Sequence, residues 1–304
     1  VACADKDINR AISMSNNNNV RVFDNWESIL RMPEVDIVII ASFHNSLSKI
    51  TLAAIEAGKH VLVEKPAAKS SKELENVIYA SRKSNSKIHV GFNHRYHRSI
   101  RKAKEIIDSG EIGELMFLRA RYGHGGRIGY DKEWRAIPKL SGGGELIDQG
   151  AHLIDLSRWF FGEFNEVQGF VHTYFWDMPV EDNGFLILKT EKKRAAFLQV
   201  SCTEWKNLFS MEIYGKEGKL DLSGLGGSYG IEKITLYKML PEMGPPETTS
   251  WDFPMIDNSW NLEINEFYDD ILHDRQPNPG LKDAFEVLKI IEKIYKDSDY
   301  DNYS

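Results

Sequence analysis

The rhythm of apolar positions along the chain changes near residue 93. Before it, short β-branched runs alternate with stretches of helical spacing. Residues 35–42, VDIVIIAS, form a continuous apolar run, which predicts a strand buried on both faces. SLSKITLAAIEAGKH follows with apolar residues at helical spacing and Gly58 placed to end the helix. HVLVEKP, a helix over about residues 71–84, and KIHVGFN complete the order strand, helix, strand, helix, strand. That order predicts a parallel, doubly wound α/β sheet.

A basic amphipathic helix is predicted over about 95–109, and the pattern then becomes one of strands. ELMFLRARYGH precedes a helix opened by three glycines, SGGGELIDQGAHLIDLSRWFFGE. EVQGFVHTYFW, NGFLILKT, RAAFLQVSCTEW, LFSMEIYG, GKLDL and EKITLYKM follow, separated by turns such as EKKR and GKEG. They predict a mostly antiparallel sheet of about six strands, covered by helices on one face. PEMGPPETTSWDFP reads as a loop, and two helices, about 259–274 and 281–296, close the chain. The expected plan is α/β plus α+β, with domains at 1–94 and 95–304. GFVHTYFW and FLQVSCTEW carry apolar residues on both alternating sets, so the uncovered sheet face is expected to meet another subunit.

Composition narrows the function classes. The chain has 304 residues, 42% hydrophobic and 27% charged, with a net charge of −7 and no long basic run. A nucleic-acid or anionic-membrane surface therefore has no electrostatic support. No apolar stretch has the length of a membrane span and no signal peptide is visible. Cys3 and Cys202 alone make neither a disulfide framework nor a thiolate zinc site, so a reducing, cytoplasmic setting is expected. The opening VACAD reads as the middle of a strand, and a glycine-rich phosphate turn is expected upstream of Val1.

Candidate chemistry gathers at strand ends. Asp5 follows the first strand, where an acid accepts hydrogen bonds from an adenosine ribose or simply closes a turn. Glu64 and Lys65 end a buried strand, the position at which open α/β sheets bind ligands, although a solvated strand end reads the same way. GFNHRYH crowds Asn93, Arg95 and Tyr96 into the next strand end; a helix cap and a surface arginine are the plainer account. In the glycine-opened helix Asp148 and His152 stand four apart, on one face, with Asp155 continuing the line. A histidine beside a carboxylate is a general base near neutral pH. The alternatives are a satisfied histidine with an Asp–Arg158 pair, or two ligands of a metal-dependent lyase or hydrolase lacking a third ligand. Gly142, Gly143 and Gly144 let backbone approach a ligand closely.

Taken in order, EKP after one strand, GFNHRY after the next, and WRAIPKLSGGGELIDQGAHLIDLSRWFFG resemble the glucose–fructose oxidoreductase, inositol dehydrogenase and MocA-like family across essentially the whole chain. The resemblance implies a Rossmann domain, a sheet domain, a nicotinamide cofactor and a carbohydrate-like alcohol as substrate. It implies Lys65 as the active-site lysine beside the nicotinamide, Glu64 near the cofactor ribose, and Asp148 and His152 as the catalytic pair. It also implies Trp134 and Arg135 at the cofactor or substrate edge. Ser42-Phe43 stands where the family commonly has Thr-Pro, and Ser42, His44, Asn45 and Asn93 are the implied cofactor contacts on that side. Asp5 favours NAD, with NADP as the alternative. Arg121, His124, Arg127 and Tyr130 lie in the expected specificity segment, with Arg95 and Tyr96 as further substrate contacts; the arginines suit a nucleotide-sugar. No metal is expected, and members commonly pair through the sheet as homodimers or homotetramers. A binding protein that has lost turnover is the alternative from another class.

Overall fold

The computed structural model describes residues 1–15 and 19–300. The first part runs β1 (Ala2–Ala4), α1 (Ile8–Ser15), β2 (Arg21–Phe23), α2 (Glu27–Leu30), β3 (Ile37–Ile40), α3 (His44–Glu56), β4 (His60–Glu64), α4 (Ser71–Ser81) and β5 (Ile88–Gly91). β3, β4 and β5 pair in parallel, and β1 pairs with β2 in a separate parallel ladder. Val61, Val63 and Val90 are fully buried, as a parallel sheet covered on both faces requires. Gly58 has φ +71° just past α3, the left-handed conformation that ends a helix cheaply only at glycine. Ser70 caps α4 by accepting from the Glu73 N–H.

The expected single helix over 95–109 is two pieces. A 3-10 turn (Asn93–Tyr96) leads to His97 in an extended conformation, and α5 (Arg98–Asp108) starts only after it. The cause is burial: Arg95 turns inward to a bidentate pair with Asp155.

β6 (Leu115–Gly123), α6 (Pro138–Ser141), α7 (Ala151–Phe161), β7 (Phe164–His172), β8 (Asn183–Thr190), β9 (Ala195–Ser201), β10 (Leu208–Gly215), β11 (Gly218–Ser223), β12 (Glu232–Lys238), β13 (Glu247–Phe253), α8 (Ser259–Leu272) and α9 (Leu281–Asp297) follow. The sheet has eight strands in the order β13-β12-β11-β10-β6-β9-β8-β7, antiparallel except for the β6–β9 pair. β13 corrects the loop expected there. Its side chains are mostly exposed and show no alternation, but it pairs with β12 from Glu232↔Phe253 to Lys238↔Glu247. Backbone pairing at an open edge formed the strand, and no side-chain pattern announces such an edge.

Leu186, Leu188, Leu198 and Val200 point into a core shared with α7 and α9. α7 is buried almost all round, as expected of a helix with apolar residues on every side. The sheet's other face carries Phe170, Ile187 and Phe197, each more than a third exposed.

Candidate active site

A cavity of about 860 Å³ opens where the ends of β3, β4 and β5 face the sheet domain. Ser42, Glu64 with Lys65, and Asn93 enter it from those three strand ends. The carboxyl ends of parallel strands are where the backbone leaves the ladder and side chains become free to meet a ligand. His124, Tyr130, Trp134, Arg135 and Asp148 line the cavity from the segment between β6 and α7, and His152 from the first turn of α7.

Asp148 is the electrostatic centre. Lys65 Nζ donates to the Asp148 backbone carbonyl at 2.8 Å and also to its Oδ1, and Arg135 Nε donates to Oδ2 at 2.7 Å. Burial alone would raise this carboxyl, but the two cations override it and hold Asp148 well below the usual carboxylate range. Two cations thus share one carboxylate, leaving the Lys65–Asp148–Arg135 trio with one positive charge in excess. Lys65 has three N–H donors and the two bonds to Asp148 leave one for a ligand. Trp134 stacks on Phe43 at 5.1 Å and meets the edge of His44, whose Nδ1 is 2.7 Å from the Ser141 carbonyl oxygen. Burial, then the nearby Lys65 charge, lowers the His44 imidazole to about 4.

The expected Asp148–His152 alignment is corrected. Leu146–Gly150 form a single π-helical turn before α7 begins, so a spacing of four no longer places both residues on one α-helical stripe. No hydrogen bond joins the two side chains among the described residues, and the His152 Nδ1 is buried without a partner. The ring lies instead face to face with His94, centroids 3.7 Å apart and planes 17° from parallel. Burial, followed by the Lys65 charge, holds His152 well below the usual histidine range; burial and then His152 do the same to His94.

The three glycines answer to the protein rather than to a ligand. Gly142 ends α6 at φ +81°. A Cβ on Gly143 would fall 2.0 Å from the Tyr295 hydroxyl, and one on Gly144 would fall 2.0 Å from the Glu181 carbonyl oxygen. Glu181, fully buried, accepts from the N–H groups of Gly144 (2.9 Å) and Leu146 (3.0 Å) and from the Tyr295 hydroxyl (2.7 Å). It thereby anchors the start of the segment that carries Asp148, and burial pushes its own carboxyl up to about 7.

On the opposite wall Tyr130 donates to Glu145 at 2.6 Å and His124 Nε2 lies 3.5 Å from the same oxygen. Burial alone would lower His124, but hydrogen bonding and charge from Glu145 raise it. Arg127 lines the cavity while pairing with Glu133 at 2.6 Å.

Five expected contacts lie outside the cavity. Arg95 is buried between Asp155, Asn278 and Asp283, and Tyr96 is buried beside it, so both serve packing. Asp155 therefore pairs with Arg95, while Arg158 reaches Glu163. Asn45 is exposed on α3, and Asp5, after β1, accepts the Asp7 N–H at 2.8 Å. Arg121 alternates to the exposed face of β6. Sequence reading passed over His94, His97, Tyr122, Tyr229, Asp257 and Trp260, which also line the cavity. His94 and His97 were visible in the crowded GFNHRYH; Tyr122 lies on β6, Trp260 at the start of α8, and Tyr229 and Asp257 in loops, none within a local motif. Among the described residues no group of three His, Cys, Asp or Glu side chains is arranged to hold a metal ion.

The polar groups at the three strand ends, with Lys65 and Trp134 beside them, line one cavity at the place where open α/β sheets bind ligands. Comparison with known proteins identifies the family. The profile of an oxidoreductase family described as an NAD-binding Rossmann fold matches residues 1–92, and that of the GFO/IDH/MocA C-terminal domain matches residues 100–221. Levoglucosan dehydrogenase of Pseudarthrobacter phenanthrenivorans is 32% identical over 162 residues, 52% of this chain and 41% of that protein. Trans-1,2-dihydrobenzene-1,2-diol dehydrogenase of Xenopus tropicalis is 28% identical over 270 residues, 77% of this chain and 79% of that protein. The solved structure of a levoglucosan dehydrogenase in complex with NADH and levoglucosan superposes with a TM-score of 0.88 at 21% identity. It covers 99% of this chain and 88% of that one, a likeness of fold. With both halves matched in order, the chain belongs to the GFO/IDH/MocA family of NAD-binding oxidoreductases.

Proposed function

We propose that the protein is an NAD-dependent dehydrogenase acting on a secondary alcohol or ketone of a sugar, polyol or nucleotide-sugar. The observation that carries this reading is the meeting of Lys65, Asp148 and His152 in one cavity at the ends of parallel strands. NAD, when bound, supplies the hydride acceptor, and Ser42, His44, Glu64, Asn93 and Trp134 are the residues that would hold it. His152, neutral at physiological pH, takes the hydroxyl proton. The free N–H of Lys65 donates to the oxygen, and the positive excess of Lys65 and Arg135 over Asp148 favours the negative charge that develops there. Asp148 keeps Lys65 in place rather than orienting His152. His124 and Tyr130 are positioned to meet the substrate's other hydroxyls.

We further propose a homodimer or homotetramer joined through the outer face of the large sheet, supported by the apolar residues it exposes. A cytoplasmic setting is supported by two free cysteines, and no described helix is long and apolar enough to cross a membrane. The test is a spectrophotometric screen of the full-length protein against sugars, polyols and nucleotide-sugars with NAD and NADP. Turnover of any of them supports the reading. Tight NAD binding without turnover of any would make the protein a sensor instead.

A further inference from the structure

We propose that His94 is the positioning residue of the base. By stacking on His152 it fixes the plane of that ring, the task that a D-x-x-x-H spacing assigns to the aspartate. The inference rests on the reading of His152 as the base.

Both Asp148 carboxylate oxygens are engaged, one by Lys65 and one by Arg135, and no hydrogen bond reaches the His152 ring among the described residues. Packing alone must therefore hold it. His94 covers one face at 3.7 Å, and Phe92 and Tyr122 make edge contacts at 6.1 and 6.4 Å. His94 is itself pinned. Its Nδ1 lies 3.1 Å from the Asn93 amide oxygen, and the Asn93 Nδ2 donates to Ser259 Oγ at 3.2 Å. His97 stands edge-on to His94 at 5.4 Å and is held in turn by Glu232 at 2.8 Å. The stack thus links the His152 ring to α8 and β12, two elements remote from it in sequence. A ring covered on one face is also shielded from water. The charged and titratable groups facing the pair are Lys65 from the end of β4, Asp148 from the π turn, His97 from the 3-10 turn and Tyr122 from β6, with Glu232 and Asp257 behind His97. Lys65, burial and the other histidines all oppose a second positive charge there.

The test is a pH titration by NMR of the full-length protein carrying 13C-labelled histidine, with the His152 signal assigned by its loss in His152→Ala. In the wild type and in His94→Phe, which keeps the stack without a titrating group, His152 should stay neutral well below pH 6.5. In His94→Ala water reaches the ring, and its titration should move up toward the ordinary histidine value near 6.5. With an alcohol substrate, His94→Ala should lower kcat by ~10²-fold, the usual scale of a misplaced reacting group, with KM for NAD unchanged. His94→Phe should recover most of that loss. A His152 titration in His94→Ala identical to the wild type overturns the proposal, as does a folded His94→Phe that is as slow as His94→Ala. His94→Gln, which also removes the stack, replaces the alanine variant should the latter not fold. The titration needs no substrate, so failure of every alcohol to react would reject the dehydrogenase reading while leaving the stack's role decided by NMR.

Discussion

Lys65 and His152 differ in how they are held, and that difference shapes what their loss should do. Lys65 is fixed by two bonds to Asp148, whereas His152 is fixed by ring packing. Lys65→Ala and His152→Ala should each lower turnover by ~10²–10⁴-fold, the span typical of a positioned acid or base, with circular dichroism unchanged. Near-normal turnover in either variant would remove that residue from the mechanism. A base acts only when deprotonated, and burial with Lys65 lowers the His152 pKa, so activity should persist as pH falls below 6.5. The acid limb of kcat/KM for alcohol oxidation tests this, and a limb at or above 6.5 would contradict it. For Asp5 we propose a role in cofactor choice. A carboxylate after β1 disfavours a 2′-phosphate, so NAD should bind more tightly than NADP despite the adjacent Lys6. Dissociation constants for the two cofactors decide it, and tighter NADP binding would refute the assignment.

Among the elements, the turn from α6 into α7 governs the site. Its glycines make room for Tyr295 and the Glu181 backbone, and Glu181 ties off the N–H groups that a helix start leaves unpaired. Gly144→Ala forces a Cβ against the Glu181 carbonyl and should destabilise the fold by about 1–3 kcal/mol, as overpacking does. Urea unfolding of the variant measures this. Unchanged stability would mean that the turn can give way. The helical periodicity of the segment was legible, as were three acidic or basic candidates on it. The π turn was not, because it depends on how Glu181, 33 residues beyond Asp148, engages the backbone.

At the scale of the whole molecule, the large sheet presents cross-strand apolar pairs to the outside. Phe170 opposes Phe185, and Ile187 opposes Phe197, with the two phenylalanine rings of the first pair 5.0 Å apart. One face of this sheet is covered by helices of its own chain and the other is open. We expect light scattering at micromolar protein to give a mass at least twice the 34.8 kDa of the chain. Phe197→Glu should reduce it to a single chain by placing a charge within the apolar patch. A wild-type protein of monomer mass would end the proposal.

Local periodicity determined most of the elements, because burial on a strand or helix face repeats at 2 or 3.6 residues and leaves that repeat in the chain. The same reading put Glu64, Lys65, Asn93, Asp148 and His152 at element ends or on a helix, where ligand chemistry is accessible, and these residues do share one cavity. Side-chain direction and partnership were decided only by the tertiary structure. Arg95 is a core residue because Asp155 and Asp283 lie 60 and 188 positions away in the chain, yet within reach in space. β13 exists because β12 left an edge to pair with. His152 faces His94 rather than Asp148, whose two carboxylate oxygens bond Lys65 and Arg135 from a different strand and loop. Each of these outcomes is a competition among groups far apart in sequence, settled by proximity that only folding creates.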